Sequence, residues 1–183
     1  MHNVSIPDKS ERIHDGAVFS VERLTFETQA GTVVKDVVRH PGAVTVIAVT
    51  SEKRLVMIRN QRVAVGDRLL EFCAGKLEPG EDPIESAKRE LEEETGFSGA
   101  SLTFLGRFYT SPGFADELMH VYEATDLSPV PRRLELGEDI EVVTLSPSEV
   151  DQAIRTGDLR DGKSIAAFHL WHLATKKSHD CNE

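Results

Sequence analysis

The chain has 183 residues, of which 31 are acidic and 21 are basic, so its formal net charge is −10. A chain of this length is expected to form one domain, or one domain with a small extension, whose core needs no covalent support. The negative charge argues against non-specific binding to nucleic acid or to anionic lipid, because those surfaces attract basic proteins.

The N-terminus and the cysteine content both bear on the cellular compartment. The first sixteen residues contain no apolar run of signal-peptide length, and no later segment approaches the roughly 20 apolar residues that span a bilayer. Two cysteines, Cys73 and Cys181, are too few for a disulfide framework or a four-thiolate zinc site. We therefore predict a cytoplasmic protein without a membrane partner.

The first forty residues have the alternation of a β-hairpin. Apolar and polar residues alternate over 17–28 and 32–39, with a short turn between the two segments. The run His40-Pro41-Gly42 then breaks the pattern. We predict an N-terminal β-strand extension over residues 1–40 and a main domain over 41–183.

The main domain mixes strands and helices. Asp82 is a candidate N-cap, Pro83 suits the first helical position, and Gly96 is a C-terminal stop, so both ends of one helix are specified locally. The patterns predict strands at 43–50, 54–59, 69–73, 102–109, 118–124 and 140–145, and helices at 83–95, 147–156 and 163–176. Strands interleaved with three helices predict an α+β sandwich.

The helix predicted over 83–95 concentrates negative charge on one face. At 100° per residue, Glu90, Glu93 and Glu94 are neighbours, whereas Glu92 points elsewhere. Like charges at these spacings cost a few tenths of a kcal/mol per pair unless they share a cation. Clustered carboxylates are typical ligands of magnesium or manganese. A simple solvated acidic face is the alternative interpretation.

The residues before this helix favour the metal interpretation. Two glycines, Gly75 and Gly80, allow tight turns in a predicted loop, and its backbone carbonyls are potential metal ligands. Read in order, the segment is Gly75, five residues, Glu81, seven residues, Arg89-Glu90-Leu91, one residue, Glu93-Glu94, one residue, Gly96 and Phe97. This segment resembles the signature of the Nudix hydrolases at every fixed position over twenty-three residues.

The resemblance implies a Nudix fold, an α/β/α sandwich around a mixed β-sheet, with a small N-terminal antiparallel sheet. It also implies Mg²⁺-dependent hydrolysis of a nucleoside diphosphate linked to another group, with Mn²⁺ able to substitute. The metal ligands that it implies are the side chains of Glu90, Glu93 and Glu94 and the carbonyl of Ala74. The residues that it implies as supports of the site are Gly75, Glu81, Arg89 and Gly96.

Features outside the signature resemble the ADP-ribose pyrophosphatase branch of the family. They are the runs His40–Val44, Arg59–Arg62 and Leu70–Lys76, and Pro112, which lies sixteen residues after Gly96. This branch hydrolyses ADP-ribose and related nucleoside diphosphate sugars to AMP, or another nucleoside monophosphate, and a sugar phosphate. Cys73 stands where proline is common, which leaves a GDP-mannose or UDP-sugar pyrophosphatase as an alternative.

The same resemblance implies substrate contacts from Arg62, Glu71, Pro112 and Phe114. Arg62 is a candidate for bidentate contact with phosphate, and an ordinary surface salt bridge is its alternative role. Phe114 is a candidate for stacking on a base, and a loop aromatic buried in the core is its alternative role.

A catalytic base has to approach the attacking water from an element other than the metal helix. Residues 134–142 supply four acids ahead of a strand, and the resemblance places the base at Glu138, with Glu135 in reserve. Glu93 and Glu94 are expected to act at the same catalytic centre. Residues 67–94 carry ten acidic and four basic side chains, and residues 135–151 carry six acidic and no basic ones, so the acidity of the chain is local.

The resemblance further implies a homodimer formed through the N-terminal strands. A non-catalytic nucleotide sensor on the same fold is another possible reading, although the complete set of signature carboxylates favours an enzyme. A calcium-binding module is disfavoured because the alternating acidic loop is missing. His169 and His172 are three residues apart, but no further ligand is evident, so we predict packing or surface roles for them.

Overall fold

The computed structural model describes residues 6–134 and 136–180, with side chains described as far as Lys176. These residues form two compact units. The N-terminal unit contains the described residues up to Gly42 together with Tyr109–Leu118. The main unit contains Ala43–Phe108 and the described residues from Met119 onward. Nothing in the sequence indicated that Tyr109–Leu118 would belong with the N-terminal strands.

The N-terminal unit is built on a small antiparallel sheet of order β1-β2-β3, formed by Lys9–Asp15, Ser20–Thr28 and Gly31–Arg39. The hairpin predicted from the alternation over 17–28 and 32–39 is confirmed as β2 and β3. Strand β1 was missed because its sequence, KSERIHD, is polar except for Ile13 and has no apolar face.

The segment Tyr109–Leu118 is tied to β3. Val38 pairs with Ala115, and the Asp116 carboxylate accepts hydrogen bonds from the Arg39 guanidinium at 3.0 Å and the His40 amide at 2.8 Å. The Arg39 guanidinium also pairs with Glu22 on β2 at 2.9 Å. These charge-assisted bonds fix the loop to the sheet.

The main unit is organised around a mixed sheet. Its strands are β4 (Ala43–Val49), β5 (Leu55–Arg62), β6 (Asp67–Glu71), β7 (Cys73–Lys76), β8 (Phe97–Tyr109), β9 (Leu118–Pro129) and β10 (Ile140–Leu145). Among the described residues the order is β10-β5-β4-β9-β8, with β6 paired to β5 and β7 paired to β4. Strand β4 runs parallel to β9 and antiparallel to β5 and β7.

The helices of the main unit are α1 (Pro83–Glu90), α2 (Pro147–Thr156) and α3 (Gly162–Asp180). The Asp82 carboxylate caps α1 by accepting from the Ile84 amide at 3.1 Å, as its position predicted. Ser146 and Glu149 form a reciprocal capping box at the start of α2. None of the helices in the described ranges combines the length and apolar character needed to cross a bilayer.

Helices cover both faces of this sheet, so the predicted α/β/α sandwich is confirmed. One face packs against α1, and its buried cluster contains Val44, Val46, Ala48, Val56, Cys73, Ala87, Leu91, Tyr122 and Ala124. The other packs against α2 and α3, and its cluster includes Ile47, Leu55, Met57, Phe72, Val121, Val150, Phe168 and Trp171. Alternation along β4 and β5 sends successive side chains to opposite clusters.

His169 and His172 on α3 have the packing and surface roles that were predicted. The His172 ring lies edge-on to Phe168 with ring centroids 4.4 Å apart, and its Nε2 is 3.7 Å from the Asp151 carboxylate. His169 is exposed. The two side chains therefore do not share a site.

Candidate active site

The segment before α1 is more ordered than the sequence suggested. Residues 74–76, predicted as loop, continue as strand β7, which pairs with β4 so that Ala74 faces Thr45. The Ala74 amide donates to a Glu94 carboxylate oxygen at 2.9 Å. The amide and carbonyl of one strand residue point to the same edge, so the Ala74 carbonyl also faces the acidic segment.

The acidic segment is not a continuous α-helix. The prediction of an α-helix over 83–95 is wrong in its last turn, because α1 ends at Glu90 and Leu91–Thr95 forms a π-helical turn. A π-helical turn contains an additional residue, so the 100° spacing no longer sets the direction of Glu94. The side chain of Glu94 turns into the protein, and Glu94 is only 3% exposed, while Glu93 is half-buried.

Gly75 is required by the close approach of Glu90. A Cβ atom at position 75 would lie 1.9 Å from the Glu90 carboxylate carbon, well inside contact distance. The Glu90 carboxylate therefore rests directly against the backbone of β7. This contact gives a physical reason for the glycine that opens the signature.

Arg89 binds the acidic groups around it and joins them to the preceding segment. Its guanidinium donates two hydrogen bonds of 3.0 Å to Glu81, one of 2.6 Å to Glu90 and one of 3.3 Å to Glu93. It also reaches the Lys76 carbonyl at 3.3 Å. The hydrogen bonds from Arg89 lower the pKa of Glu81 to about 2 and raise the pKa of Arg89 itself. Arg89 thus joins α1 to Glu81 in the preceding loop and to Lys76 at the end of β7.

The carboxylates nearest to β7 are difficult to ionise together. The pKa of Glu94 is raised to about 8, chiefly by burial and also by the negative charges of Glu90 and Glu138, against the lowering effects of the Ala74 amide and Arg62. Burial also raises the pKa of Glu90, against the lowering effect of Arg89. Closely spaced acids with raised pKa values are stabilised in their ionised form when a cation binds among them.

The loop that leads to β10 crosses the end of the acidic segment. The Val130 amide donates to the Gly96 carbonyl at 2.9 Å, and the Arg133 amide donates to the Glu93 carbonyl at 3.3 Å. Gly96 has a φ of +74° and ends the π-helical turn, and a Cβ atom there would be 3.2 Å from the Val130 carbonyl oxygen. Glycine therefore serves both the left-handed conformation and the close approach of this loop.

Glu138, the predicted base, lies on this loop and is half-buried, whereas its neighbours Gly137 and Asp139 are exposed. Its negative charge contributes to the raised pKa values of both Glu90 and Glu94, although it belongs to a different element. Glu135, the reserve candidate, lies outside the described residues.

Arg62 and Glu71 form a partly buried pair at the ends of β5 and β6. The guanidinium of Arg62 binds Glu71 through two hydrogen bonds of 2.8 and 2.6 Å, and these raise the pKa of Arg62. Glu71 is fully buried, and Lys163 from the start of α3 also donates to it. Glu71 is therefore placed to orient Arg62. The sequence analysis missed Lys163, which is 92 residues away in the chain and belongs to no recognised motif.

Pro112 and Phe114 belong to the N-terminal unit, in the segment that is fixed to β3. Phe114 is 59% exposed, so its alternative role as a buried core aromatic is wrong. Its amide donates to Ser111 and its carbonyl accepts from the Val38 amide. The backbone of Phe114 is therefore held while its ring remains accessible.

The donor set fits a hard divalent cation. The Glu94 carboxylate meets the Ala74 amide and the Glu90 carboxylate lies against Gly75, so both acids reach β7, and oxygen atoms are the ligands that magnesium and manganese prefer. Within the described residues no three acidic, histidine or cysteine side chains are already arranged as a ligand set. Arg89 holds Glu90 and Glu93, so these carboxylates must exchange a cationic partner when a metal binds.

In this fold, acidic residues on a helical segment lie against the glycine-containing strand of a mixed sheet. A further acid lies on a loop that is hydrogen-bonded to the end of that segment. Residues 39–168 match the model of the NUDIX domain family. The matched region includes every main-unit residue predicted for the metal site and the base. The chain belongs to the Nudix family, whose hydrolases generally use a divalent metal ion.

Curated relatives cover most of the chain. It is 39% identical to an ADP-ribose pyrophosphatase of Bacillus subtilis (strain 168), over 89% of this chain and 90% of that protein. It is 40% identical to a methanol dehydrogenase activator of Bacillus methanolicus, over 93% and 94% respectively. It is 36% identical to a GDP-mannose pyrophosphatase of Escherichia coli (strain K12), over 69% and 71%.

Among solved structures, the crystal structure of an ADP compounds hydrolase matches with a TM-score of 0.81 and 25% sequence identity. The match covers 94% of this chain and 95% of that chain. The similarity therefore extends beyond the signature to almost the whole fold.

Proposed function

We propose that this protein is a metal-dependent pyrophosphatase that hydrolyses ADP-ribose to AMP and ribose 5-phosphate and accepts related nucleoside diphosphate sugars. The observation that carries the proposal is the placement of two signature carboxylates against β7, where Glu94 accepts from the Ala74 amide at 2.9 Å and Glu90 lies against Gly75. Buried acids of this kind suit an anionic substrate only when cations lie between protein and phosphate. The identity to an ADP-ribose pyrophosphatase supports the choice of substrate.

Glu90, Glu93, Glu94 and the carbonyl of Ala74 are the proposed metal ligands. Mg²⁺ is the proposed ion, and Mn²⁺ is expected to substitute because it accepts the same oxygen donors. When bound, the ion supplies Lewis-acid polarisation of the pyrophosphate and increases the acidity of water. Gly75 and Arg89 keep the protein ligands in place, as their contacts with Glu90 indicate.

The other residues divide between proton transfer and substrate binding. Glu138 accepts the proton of the attacking water from the loop opposite the acidic segment. The water oxygen bonds to one phosphorus while the bridging oxygen leaves with the other phosphate, so the products are two phosphomonoesters. Arg62, oriented by Glu71, binds a phosphate of the substrate. Pro112 and Phe114 are proposed to contact the nucleoside or the sugar.

A hexose nucleotide such as GDP-mannose or a UDP-sugar is the alternative substrate. The relative in Escherichia coli supports it at 36% identity, but the sequence argument from Cys73 does not. Cys73 is 1% exposed, lies in the core beneath α1, and its thiol is 3.7 Å from the Val46 carbonyl. Burial raises the pKa of this thiol, and Cys73 is not placed to choose a sugar.

The proposal includes a homodimer in the cytoplasm with no nucleic-acid partner. Support for the dimer comes from apolar side chains left exposed on both faces of the small sheet, with Val33 at 40% on one face and Val34 at 53% on the other. The net charge of −10 supports the exclusion of nucleic acid. Light scattering of the purified protein tests the dimer, and a monomeric mass at all accessible concentrations would contradict it.

Activity is tested by incubating the protein with Mg²⁺ and, separately, ADP-ribose, GDP-mannose, a UDP-hexose, a dinucleotide and ATP. We expect AMP and ribose 5-phosphate from ADP-ribose as the fastest reaction, lost on chelation of the metal. Hydrolysis of ATP alone would overturn the proposal. Tight binding of ADP-ribose without hydrolysis of any compound would favour the nucleotide sensor.

A further inference from the structure

The first turn of α3 carries a partly buried polar network to which the proposed function assigns no role. The Asp161 carboxylate accepts from the Ser164 amide at 3.0 Å, the Ser164 hydroxyl at 2.6 Å and the Lys163 ammonium at 2.9 Å. Asp161 therefore caps the helix and also fixes the direction of two side chains. Both of those side chains contact residues next to the acidic site.

Ser164 contacts the backbone that leads into β7. Its hydroxyl, fully buried, accepts a hydrogen bond of 2.9 Å from the Phe72 amide, which is also buried. Phe72 is two residues before Ala74, whose amide binds Glu94. Since a buried amide needs a partner, the Ser164 hydroxyl determines where this backbone lies.

Lys163 contacts the residue before Phe72. Its ammonium donates to Glu71, the residue before Phe72, and is only 15% exposed. Arg62 binds the same Glu71 carboxylate. One fully buried anion is thus shared between two cations, and one of them, Arg62, remains 39% exposed.

We propose that Lys163 and Ser164 are positioning residues of the active site, and that they act on different properties of it. Lys163 shares the charge of Glu71 and so leaves part of the positive charge of Arg62 available to the substrate phosphate. Ser164 holds the Phe72 amide and so sets the position of the Ala74 carbonyl toward the metal. The inference rests on the proposed pyrophosphatase function.

The charge balance explains why Lys163 affects the substrate. With Lys163 removed, Arg62 alone compensates the buried Glu71, and the local charge becomes more negative by one. An anionic pyrophosphate then binds less strongly, although the metal ligands do not move. Lys163→Met is therefore expected to raise the KM for ADP-ribose about tenfold while kcat changes less than about threefold.

Ser164→Ala tests the other connection. It deletes the acceptor of the Phe72 amide with little change in volume, so strand β7 shifts relative to Glu94. We expect the affinity for Mn²⁺, measured without substrate by the paramagnetic resonance of free Mn²⁺, to fall about tenfold. The KM for ADP-ribose at saturating metal should remain within about twofold of wild type.

Three further variants serve as controls for Lys163→Met and Ser164→Ala. Lys163→Arg restores a cation and should recover most of the KM. Arg160→Met removes a nearby exposed cation, paired with Asp67 rather than Glu71, and should change neither KM nor Mn²⁺ affinity. Asp161→Asn keeps a good helix cap but weakens the hydrogen bonds to Lys163 and Ser164, so it should shift the KM and the Mn²⁺ affinity by smaller factors. This variant replaces Ser164→Ala if Ser164→Ala folds poorly.

The inference is overturned if Lys163→Met and Ser164→Ala shift kcat, KM and Mn²⁺ affinity in the same proportion, or if both behave like Arg160→Met. Failure of the proposed function has a different signature, because the wild-type protein itself would then not hydrolyse nucleoside diphosphate sugars. In that case two binding measurements still test the inference. The Mn²⁺ affinity of Ser164→Ala tests the effect of Ser164 on metal binding, and the dissociation constant of Lys163→Met for ADP-ribose tests the effect of Lys163 on substrate binding. Unchanged values there would reject the inference as well.

Discussion

The acidic segment at the end of α1 and the loop before β10 both bring carboxylates to one place, but they hold them differently. Glu94 is buried against the backbone of β7, and Glu90 and Glu93 are bound by Arg89. Glu138 lies on a loop with exposed neighbours, and backbone bonds nearby tie that loop to the acidic segment. Carboxylates held by hydrogen bonds to backbone and arginine suit metal binding, whereas a carboxylate on a separate loop suits proton transfer from water.

The largest effect, a loss of kcat, is expected from a substitution in the loop before β10. Glu138→Gln removes the proton acceptor, so kcat should fall about 10²- to 10⁴-fold. The charge of Glu138 also acts on Glu90 and Glu94, so Mn²⁺ affinity should change, but far less than kcat, and the melting temperature should stay near wild type. Asp139→Asn is the matched control, because Asp139 is exposed and pairs with Arg68. A Glu138→Gln enzyme with a near-normal rate would assign the base elsewhere.

A large effect on metal binding, rather than on proton transfer, is expected at Gly75. In Gly75→Ala the new Cβ displaces the Glu90 carboxylate, so affinity for Mn²⁺ should fall about 10- to 100-fold. Calorimetric titration with Mn²⁺ measures it. Gly162→Ala is the control, because a Cβ at Gly162 would meet no atom within 4 Å. Equal affinities in the two variants would show that Glu90 does not bind the metal.

The burial of Glu94 predicts a pH dependence. The pKa of Glu94 is about 8, so below this pH a metal ion has to displace the proton of Glu94 in order to bind. The affinity for Mn²⁺ should therefore rise by up to roughly tenfold per pH unit as the pH increases toward 8, and then level off. Titrations with Mn²⁺ between pH 6 and 9 measure this slope. A slope unchanged in Glu94→Gln would show that another group is titrating.

The same shift has an opposite consequence for the metal-free protein. A folded pKa above the unfolded value of 4.5 means that the protonated form stabilises the fold below about pH 4.5. This contribution is lost as the pH rises through about 8. Melting temperatures without metal should therefore decline across this window in wild type and decline less in Glu94→Gln.

The smallest effect is expected at Glu81, which supports the acidic segment through Arg89. Glu81→Gln should lower the free energy of unfolding by about 1 kcal/mol at pH 7, measured by urea denaturation. Because the pKa of Glu81 is lowered to about 2, its contribution is present above about pH 4.5 and is lost as the pH falls toward 2. Glu78→Gln, which removes only a longer contact of 3.7 Å to Lys76, should have no measurable effect.

Much of the site could be predicted from the sequence because its chemistry is encoded locally. The cap at Asp82, the stop at Gly96 and the spacing of the acids between them are properties of a short stretch of chain. The π-helical turn could not be predicted, since nothing in Leu91–Thr95 contradicts an α-helix until Glu94 meets the Ala74 amide. The same holds for β7, whose residues form a strand only because β4 supplies partners.

The sequence by itself determined the family, the helix carrying the acids, and the residues that can bind a metal or accept a proton. Only the tertiary structure decided that Glu94 would be buried, that Gly75 would face Glu90, and that Tyr109–Leu118 would join the N-terminal strands. It also brought Lys163 and Ser164 to Glu71 and Phe72. Local patterns report backbone propensity and residue chemistry, whereas burial and charge sharing arise between residues that are distant in the chain, and those contacts set pKa values and positions.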